Sequence, residues 1–546
     1  MTKRPRLSVV VPVFNQAASI IGNLEVVRSR LRDALGDDFE IVVVSDGSID
    51  ATEDELVSGA PAGAYRVFHY DRNLGKGYAV RLGALEAQGR WIGFIDADLD
   101  LDPRALATYV LRAEDAQLDF AIGSKRHPES QVFYPRSRVV ASWCFQQLVR
   151  LLFRLNVRDT QAGLKVFRRE VAEQVMPLLL VKRYAFDIEL LAVARAFGFS
   201  RIEELPITLD YRFSGSGVRS RAVLRAVIDT AAIFYRLRIL RYYQRRRRLA
   251  GPFGFTRPRD APSVSVLVSR GREFKELDFP GVDVVSVDVR DLRGAVVGDY
   301  QPAVAAAGGE VVAILEPAAR PAGNWLSATT PFLARPEIGA VVTPKMAPVT
   351  GNARERAAAG VTESRVGVGL GYFRHTPGNI RYVREYPASA IVVRRSTMLT
   401  VPAATRLDDL VAAIARQGEL VLYTPEAVVV SNPPPLFAPH LGRVWDRASS
   451  RGSGVRRGDV RVSVVPRVSL AVGIVVAVVA AVFFELSASE AAGVAVVVLY
   501  AAAVLLAAAA SSLRHQSFRV GALVAIGIVL THLVYVAGFL RGVARG

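Results

Sequence analysis

The sequence predicts an α/β protein: an early unit built as a parallel sheet covered by helices, a second unit of the same kind, and a C-terminal set of membrane helices. Three observations predict it. Short β-branched or aromatic runs alternate with amphipathic helical patterns through the N-terminal part. The same alternation restarts after a stretch at 251–262 that is rich in Pro, Gly and Arg and reads as a linker. Near the end, 468–484, 491–513 and 520–540 contain no Asp, Glu, Lys or Arg, the composition expected of membrane spans.

In chain order, 7–14, 40–44, 66–69 and 91–95 read as strands, with helical patterns at 18–35 and 76–87. The run Trp91 to Ile95 is apolar enough to be buried on both faces, and it ends in four acids at alternate positions, Asp96, Asp98, Asp100 and Asp102. The other strands also exit into polar groups: Asn15-Gln16, Ser45-Asp46-Gly47-Ser48, and Asp71-Arg72-Asn73. In parallel sheets the ligand crevice lies beyond the carboxyl ends of the strands, so four polar exits on one edge predict a nucleotide-sized site. A hard divalent cation takes one or two carboxylates and completes its shell with water and phosphate oxygens, a use that suits Asp96 and Asp98. Arg72 to Gly77 looks like a phosphate-cradling glycine loop, but it lacks the Gly-x4-Gly-Lys-Ser/Thr spacing, which excludes a P-loop nucleotidase.

With 546 residues the chain is too long for one core, and a formal net charge of +18 implies an anionic partner. A single cysteine, Cys144, excludes a disulfide within one chain and is expected to be a small buried apolar side chain. Six scattered histidines offer no zinc constellation. The N-terminal stretch is too short and too β-branched for a signal peptide, so the first unit is expected in the cytoplasm.

The spacing of the motifs adds a resemblance. Pro12-Val-Phe-Asn-Gln16, Ser45-Asp-Gly-Ser-Ile-Asp50, Asn73-x-Gly-Lys-Gly77 and Asp96-Ala-Asp-Leu-Asp100 resemble the ordered motifs of family 2 glycosyltransferases with a GT-A fold. Asp159-Thr-Gln-Ala-Gly-Leu-Lys-Val-Phe167 and Phe186-Asp-Ile-Glu-Leu-Leu191 are similar to the polyprenyl-phosphate branch, the dolichyl-phosphate glucosyltransferases and mannosyltransferases, and more to the former. The resemblance covers about residues 5–220. It implies that Asp46 contacts the base or ribose of a nucleotide-diphosphate sugar, with Pro12 and Asn15 in the same pocket and Asn73 and Lys76 on the donor. Asp96 and Asp98 would hold the diphosphate and its Mg²⁺ or Mn²⁺, with Asp100 where the mannosyltransferases often have a Gln ligand. Gln16 replaces the usual Glu, Ser45 an Asp and Leu164 a Phe, which leaves the nucleotide open. Gly123-Ser-Lys125 and Tyr134 to Ser142 resemble the acceptor loop, so Lys125, Arg138 and Ser142 are implied to hold the phosphate of a polyprenyl phosphate. Arg138 and Ser142 lie one helical turn apart.

Such an acceptor needs no catalytic base. A lipid phosphate is already ionised near neutral pH and can displace the diphosphate directly, which predicts inversion and a β-linked sugar. The Gln-x-x-Arg-Trp signature of processive synthases is absent, which disfavours extension of a membrane polysaccharide. A non-catalytic membrane scaffold is the reading from another class.

The remaining elements follow. The predicted boundaries are 1–220 for the catalytic unit, 221–250 for one basic amphipathic helix in the headgroup layer, 251–262 for the linker and 263–440 for the second unit. A basic segment at 441–467 then precedes three transmembrane helices within 468–540. Nucleic acid is disfavoured as partner of the Arg245–248 run, because no interleaved aromatics form a stacking platform. In the second unit 263–268, 282–287, 310–315 and 390–394 read as strands, and Glu316-Pro-Ala-Ala stands where the paired aspartates stood. That predicts a degenerate GT-A-like unit rather than a second active site using Glu316 with Asp408 or Asp409. The Arg-rich flank before the spans places both globular units and the 514–519 loop on the cytoplasmic side of the bilayer. His532 is expected to be a helix-packing polar residue.

Overall fold

The computed structural model describes residues 4–59, 63–70, 72–131, 136–183, 185–208, 220–250, 255–258, 261–269, 282–287, 295–316, 319–348, 350–388, 390–456 and 489–545. The first unit runs β1 (Leu7–Val13), α1 (Ile20–Leu35), β2 (Phe39–Ser45), α2 (Thr52–Ser58), β3 (Arg66–His69), α3 (Lys76–Glu86) and β4 (Trp91–Phe94). It continues with α4 (Arg104–Asp115), β5 (Phe120–Ser124), α5 (Arg136–Phe153), β6 (Lys165–Arg168), α6 (Arg169–Val175), α7 (Phe186–Ala196) and β7 (Ile202–Pro206). The strands form one sheet in the order β3-β2-β1-β4-β6-β5-β7, parallel except for β6, which is antiparallel to β4 and β5. β1 and β4 lie at its centre and are apolar almost throughout, as a strand covered on both faces must be, with buried Ser8 donating to Glu40. The four strands expected from sequence are present, with ends moved by one residue at most.

The basic stretch at 221–250 is not one helix. It divides into α8 (Ser220–Phe234), a π turn (Tyr235–Ile239) and α9 (Tyr242–Leu249), broken at Arg241, whose φ of 46° is left-handed. The break turns Tyr243 into the core, where its hydroxyl donates to Glu189, and Ile233 and Leu237 are buried beside it. Ile228, Tyr235, Ile239 and Leu249 remain exposed on the other side. The stretch therefore packs on its own unit through one face. Cys144 also departs from expectation: it is exposed. The buried stripe of α5 is Gln146, Val149 and Phe153, at helical spacing, and Cys144 lies off it beside the exposed Trp143.

The second unit opens with β8 (Val264–Ser269), β9 (Asp283–Val287), α10 (Gln301–Ala306), β10 (Val311–Leu315), β11 (Arg320–Pro321), α11 (Trp325–Thr329), β12 (Ile338–Val342) and β13 (Lys345–Met346). Then come α12 (Ala353–Thr362), α13 (Arg365–Val368), β14 (Arg381–Val383), β15 (Ala390–Arg394), α14 (Arg395–Thr400), α15 (Leu410–Arg416), β16 (Leu420–Tyr423), β17 (Val429–Val430) and α16 (Ala438–Arg456). Its main sheet has the order β9-β8-β10-β15-β12-β16-β14, with β15 antiparallel to both neighbours. Six of these strands repeat the order and the inserted antiparallel strand of β2-β1-β4-β6-β5-β7, and Glu316 follows β10 as Asp96 closely follows β4.

The two units share a continuous apolar core, and their contact runs along α3. Arg81 and Glu426 form a buried ion pair at 2.9 Å, the Tyr78 hydroxyl donates to the Pro425 carbonyl at 2.7 Å, and Arg257 pairs with Glu86 at 3.0 Å. The stretch between the units is more than a tether, since Phe255 is buried and its ring lies 5.8 Å from that of Tyr382.

Two helices, α17 (Ser489–His515) and α18 (Phe518–Arg545), are long and apolar enough to cross a membrane; the expected span at 468–484 lies outside the described residues. They form an antiparallel hairpin in which Gly521 lies against Ser512, and the Tyr500 hydroxyl meets His532 Nδ1 at 2.9 Å. The other ring nitrogen of His532 lies 3.0 Å from the Val366 carbonyl, so this histidine joins helices to each other and to the second unit. One side of α18 packs against α12 and α16, with Gly538 and Gly542 facing Trp445 and Ser449. Leu505, Leu506, Leu513, Phe518, Ile526 and Leu540 are exposed.

Candidate active site

Above the carboxyl ends of β1 and β4 lies an open cleft of about 510 Å³, lined by Asn15, Gln16, Ala17, Ala18, Ser19, Asn23, Asp50 and Asp98. The volume is in the range of small-molecule sites. Its floor is made by chain reversals at the strand exits. Asn15 leaves β1 with a φ of 52°, a left-handed conformation that asparagine tolerates. Its side-chain oxygen accepts from the Ile49 amide at 2.9 Å and its own amide donates to Ser48 Oγ at 3.1 Å, tying the exit of β1 to that of β2. Asp50 completes this wall. It accepts from the Ala17 amide at 3.2 Å and from Thr52, and the Thr52 hydroxyl is the main reason its carboxyl titrates below the usual range. Pro12 lies within β1, paired with Val44, beneath the floor.

Asp46 does not lie on the cleft wall. It is 4% exposed and its two oxygens accept from the Tyr70 hydroxyl at 2.8 Å, the Leu74 amide at 2.7 Å and the Gly75 amide at 2.9 Å. Burial raises its pKa in spite of these bonds. With these bonds made, Asp46 holds the glycine loop in place behind the cleft lining. Gly47 (φ 64°) supports the same loop from below, because a Cβ there would stand 2.2 Å from the Arg72 carbonyl carbon. Asn73, at the loop's crest, is exposed.

The loop delivers Lys76 as the first residue of α3. Its amine pairs with Asp96, immediately after β4, and lies 5.9 Å from the Phe94 ring. Burial pulls the Lys76 amine down, but Asp96, Asp187 and Asp98 outweigh it and the pKa is raised. Asp98 is raised as well, first by desolvation and then by the neighbouring Asp96 and Asp100; its Oδ1 accepts from the Asp100 amide at 3.3 Å. Asn23 braces this turn by donating to the Ala97 carbonyl at 2.8 Å. Gly163 leaves room for Asp96, since a Cβ there would come within 2.6 Å of Oδ2.

Among the described residues no three His, Cys, Asp or Glu side chains converge on one point. Two neighbouring carboxylates, Asp98 with a raised pKa and Asp96 paired with Lys76, at the mouth of a cleft, nonetheless fit a divalent cation that shares its shell with a phosphate. Behind them, Lys165 is fully buried, donating to Asp187 and to the Ala162 carbonyl at 2.6 Å each, 5.4 Å from the Phe94 ring on the opposite side from solvent. Lys165, Asp187, Asp50 and Asn23 have parts here that no single-residue reading assigned. Three of them lie inside the motifs quoted above, which was the available signal.

On the acceptor side, the Lys125 amide donates to Asp159 at 3.1 Å, so the loop after β5 is held by the loop before β6. Arg138 and Ser142 fall on α5 as expected; their side chains lie outside the described residues. In the second unit, Glu316 accepts from Lys345 and, at 3.5 Å, from Ser431.

Comparison with known proteins gives this geometry a context. The family description "Glycosyl transferase family 2" matches residues 8–176. The glycosyltransferase AglD of Haloferax volcanii is 35% identical over 204 residues, 37% of this chain and 32% of that protein. The dolichyl-phosphate beta-glucosyltransferase of Drosophila melanogaster is 37% identical over 202 residues, 34% of this chain and 62% of that one. The dodecaprenyl-phosphate galacturonate synthase of Rhizobium johnstonii is 29% identical over 238 residues, 42% of this chain and 67% of that one. The first two are thus matched over less than two thirds of their own length. Among solved structures, the glucosyl-3-phosphoglycerate synthase of Mycobacterium tuberculosis superposes over 42% of this chain and 80% of that one at 22% identity and a TM-score of 0.31, an overlay that adds nothing to the strand order. The sheet of the first unit, its strand-exit motifs and the match agree: residues 8–176 of this chain are a glycosyl transferase family 2 domain.

Proposed function

We propose that this protein is a membrane-bound glycosyltransferase that moves one sugar from a nucleotide-diphosphate donor onto a polyprenyl phosphate, with its globular units on the cytoplasmic face. The observation that carries the reading is the meeting of Asp96, Asp98 and Lys76 at the mouth of the cleft closed by Asn15 and Asp50. The printed names of the fly and Rhizobium relatives support the acceptor class, and the two long apolar helices support the membrane.

Asp96 and Asp98 would hold Mg²⁺ or Mn²⁺, which supplies charge neutralisation to the leaving diphosphate when bound. Lys76 pairs with Asp96 and orients it, and Lys165 does the same for Asp187 behind it. Asn15 and the Ser48–Asp50 turn orient the donor, and the Asp46-held loop, through Asn73 and Lys76, presents amides and cationic charge to its phosphates. Lys125, Arg138 and Ser142 position the acceptor phosphate, which attacks the anomeric carbon as the diphosphate departs, giving inversion.

The second unit is read as a degenerate, non-catalytic GT-A-like domain. Its sheet repeats the strand order of the first, but Glu316 is neutralised by Lys345 and is followed by proline and alanine, which cannot ligate a metal through their side chains. The test is incubation of purified protein with a panel of radiolabelled nucleotide sugars, polyprenyl phosphate and Mg²⁺ or Mn²⁺. Label in the lipid phase with inverted anomeric configuration is expected; retained configuration would rule out the direct displacement.

A further inference from the structure

Near the strand ends of the second unit stand cations where the first unit has acids. Lys345 follows β12, and α16 aligns Arg443, Arg447 and Arg451 at four-residue spacing on one face. Arg451 pairs with Glu385 at 3.1 Å and donates to the Tyr535 hydroxyl of α18 at 3.2 Å. Arg374 donates to the Glu385 carbonyl at 3.1 Å and lies 5.7 Å from the Tyr386 ring, while its Nε is buried with no partner. Arg443 and Arg447 are exposed and have no ion-pair partner among the described residues. Arg443 and Arg447 act on Lys345, and Arg447 also acts on Arg374 and His375. Glu316, Glu385 and Asp408 oppose the group, and the first two are already paired.

One shift agrees with this crowding. Burial with Arg447 and Arg374 takes His375 down to about 3, so it adds no charge. A group of like charges held in place by a fold is the electrostatic form of an anion site, and guanidinium forks suit phosphate oxygens.

We propose that Lys345, Arg374, Arg443, Arg447 and Arg451 form a phosphate-binding site in the second unit, separate from the cleft of the first, and that its occupant is the headgroup phosphate of an anionic membrane lipid. The placement supports the lipid source: Trp445, Ser449 and Gly452 of α16 lie on the apolar α18, which Arg451 also reaches, and Leu533 and Leu540 of α18 are exposed. Here the fixed cations would take the part that carboxylates with a metal take in the first unit. The lipid source rests on the membrane reading above, but binding is read without any sugar transfer, so either can fail alone.

The full chain is purified in detergent and titrated with short-chain phosphatidylglycerol, with phosphatidylcholine and with inorganic phosphate, following bound lipid by native mass spectrometry and the thermal midpoint. Wild type is expected to retain phosphatidylglycerol over phosphatidylcholine, and R443Q/R447Q to bind it at least tenfold more weakly. Gln keeps much of the stem and leaves no acid orphaned, so the lipid-free double variant is expected to unfold no earlier than wild type. R245Q/R248Q, on α9, and Asp98→Asn are expected to bind as wild type. Phosphatidylglycerol binding by R443Q/R447Q within twofold of wild type, or equal retention of the two lipids, overturns the site. A response to inorganic phosphate with none to phosphatidylglycerol overturns the lipid assignment.

Discussion

Arg72, at the start of the glycine loop, donates to Glu363 at 2.7 Å, and the other oxygen of that carboxylate accepts from Arg514 at 2.5 Å. Glu363 lies just after α12 of the second unit and Arg514 at the turn of the apolar hairpin, so one buried carboxylate fastens the glycine loop to the turn of the hairpin. The apolar hairpin is thereby given a mechanical hold on the loop that carries Lys76.

Removing that charge leaves two partly buried cations facing each other. Because Arg72 and Arg514 keep some access to water, the expected loss for Glu363→Gln is about 1–3 kcal/mol rather than the full cost of a buried orphan. Thermal unfolding in detergent checks it; a midpoint unchanged within error would remove the fastening from the account.

Asp98→Asn is expected to lower label transfer to lipid by at least a hundredfold with circular dichroism unchanged. Glu316→Ala, at the corresponding strand exit of the second unit, is expected to stay within about twofold, because Glu316 is held by Lys345 and lacks a second acid beside it. The reverse pattern would move the active site to the second unit.

Lys182 supplies a pH signature. Burial, with Arg81, Arg72 and Arg514, lowers its amine to about 7 from 10.5. Between those values the unfolded chain binds more protons than the folded one, so stability from this group rises with pH through that window and is least below 7, where the buried amine is charged. Lys182→Met is expected to flatten the rise in midpoint between pH 7 and 10 and to stabilise the protein at neutral pH; a wild-type slope in the variant contradicts it.

Two glycines with nearly the same backbone separate strain from contact. Gly36 (φ 63°) has nothing within 4 Å of a Cβ, so Gly36→Ala is expected to cost only backbone strain, about 1 kcal/mol, with activity kept. Gly47→Ala drives a methyl into the Arg72 backbone and is expected to cut transfer more than tenfold by displacing the loop. Equal activity in the two variants would mean that the loop tolerates displacement.

The strands around β1 and β4 and the acids after β4 were legible because they are local. An apolar run of strand length followed by Asp-x-Asp carries its meaning within a dozen residues. Burial at 221–250 was not legible, since a left-handed Arg241 and a Tyr243 directed at Glu189 depend on α7 being there to receive them. Cys144 shows the same limit, because its exposure follows from which stripe of α5 meets the core.

The order of residues alone settled the strand-and-helix alternation, the polar strand exits and two of the three expected apolar helices, since each is a pattern of hydropathy and turn chemistry that needs no distant partner. Packing decided what those exits do. It drew Asp46 under the glycine loop, put Lys76 against Asp96 and joined Arg72 to Arg514 through Glu363, because a carboxylate's part is set by which donors and charges the fold brings within a few ångströms, and those come from segments up to hundreds of residues away.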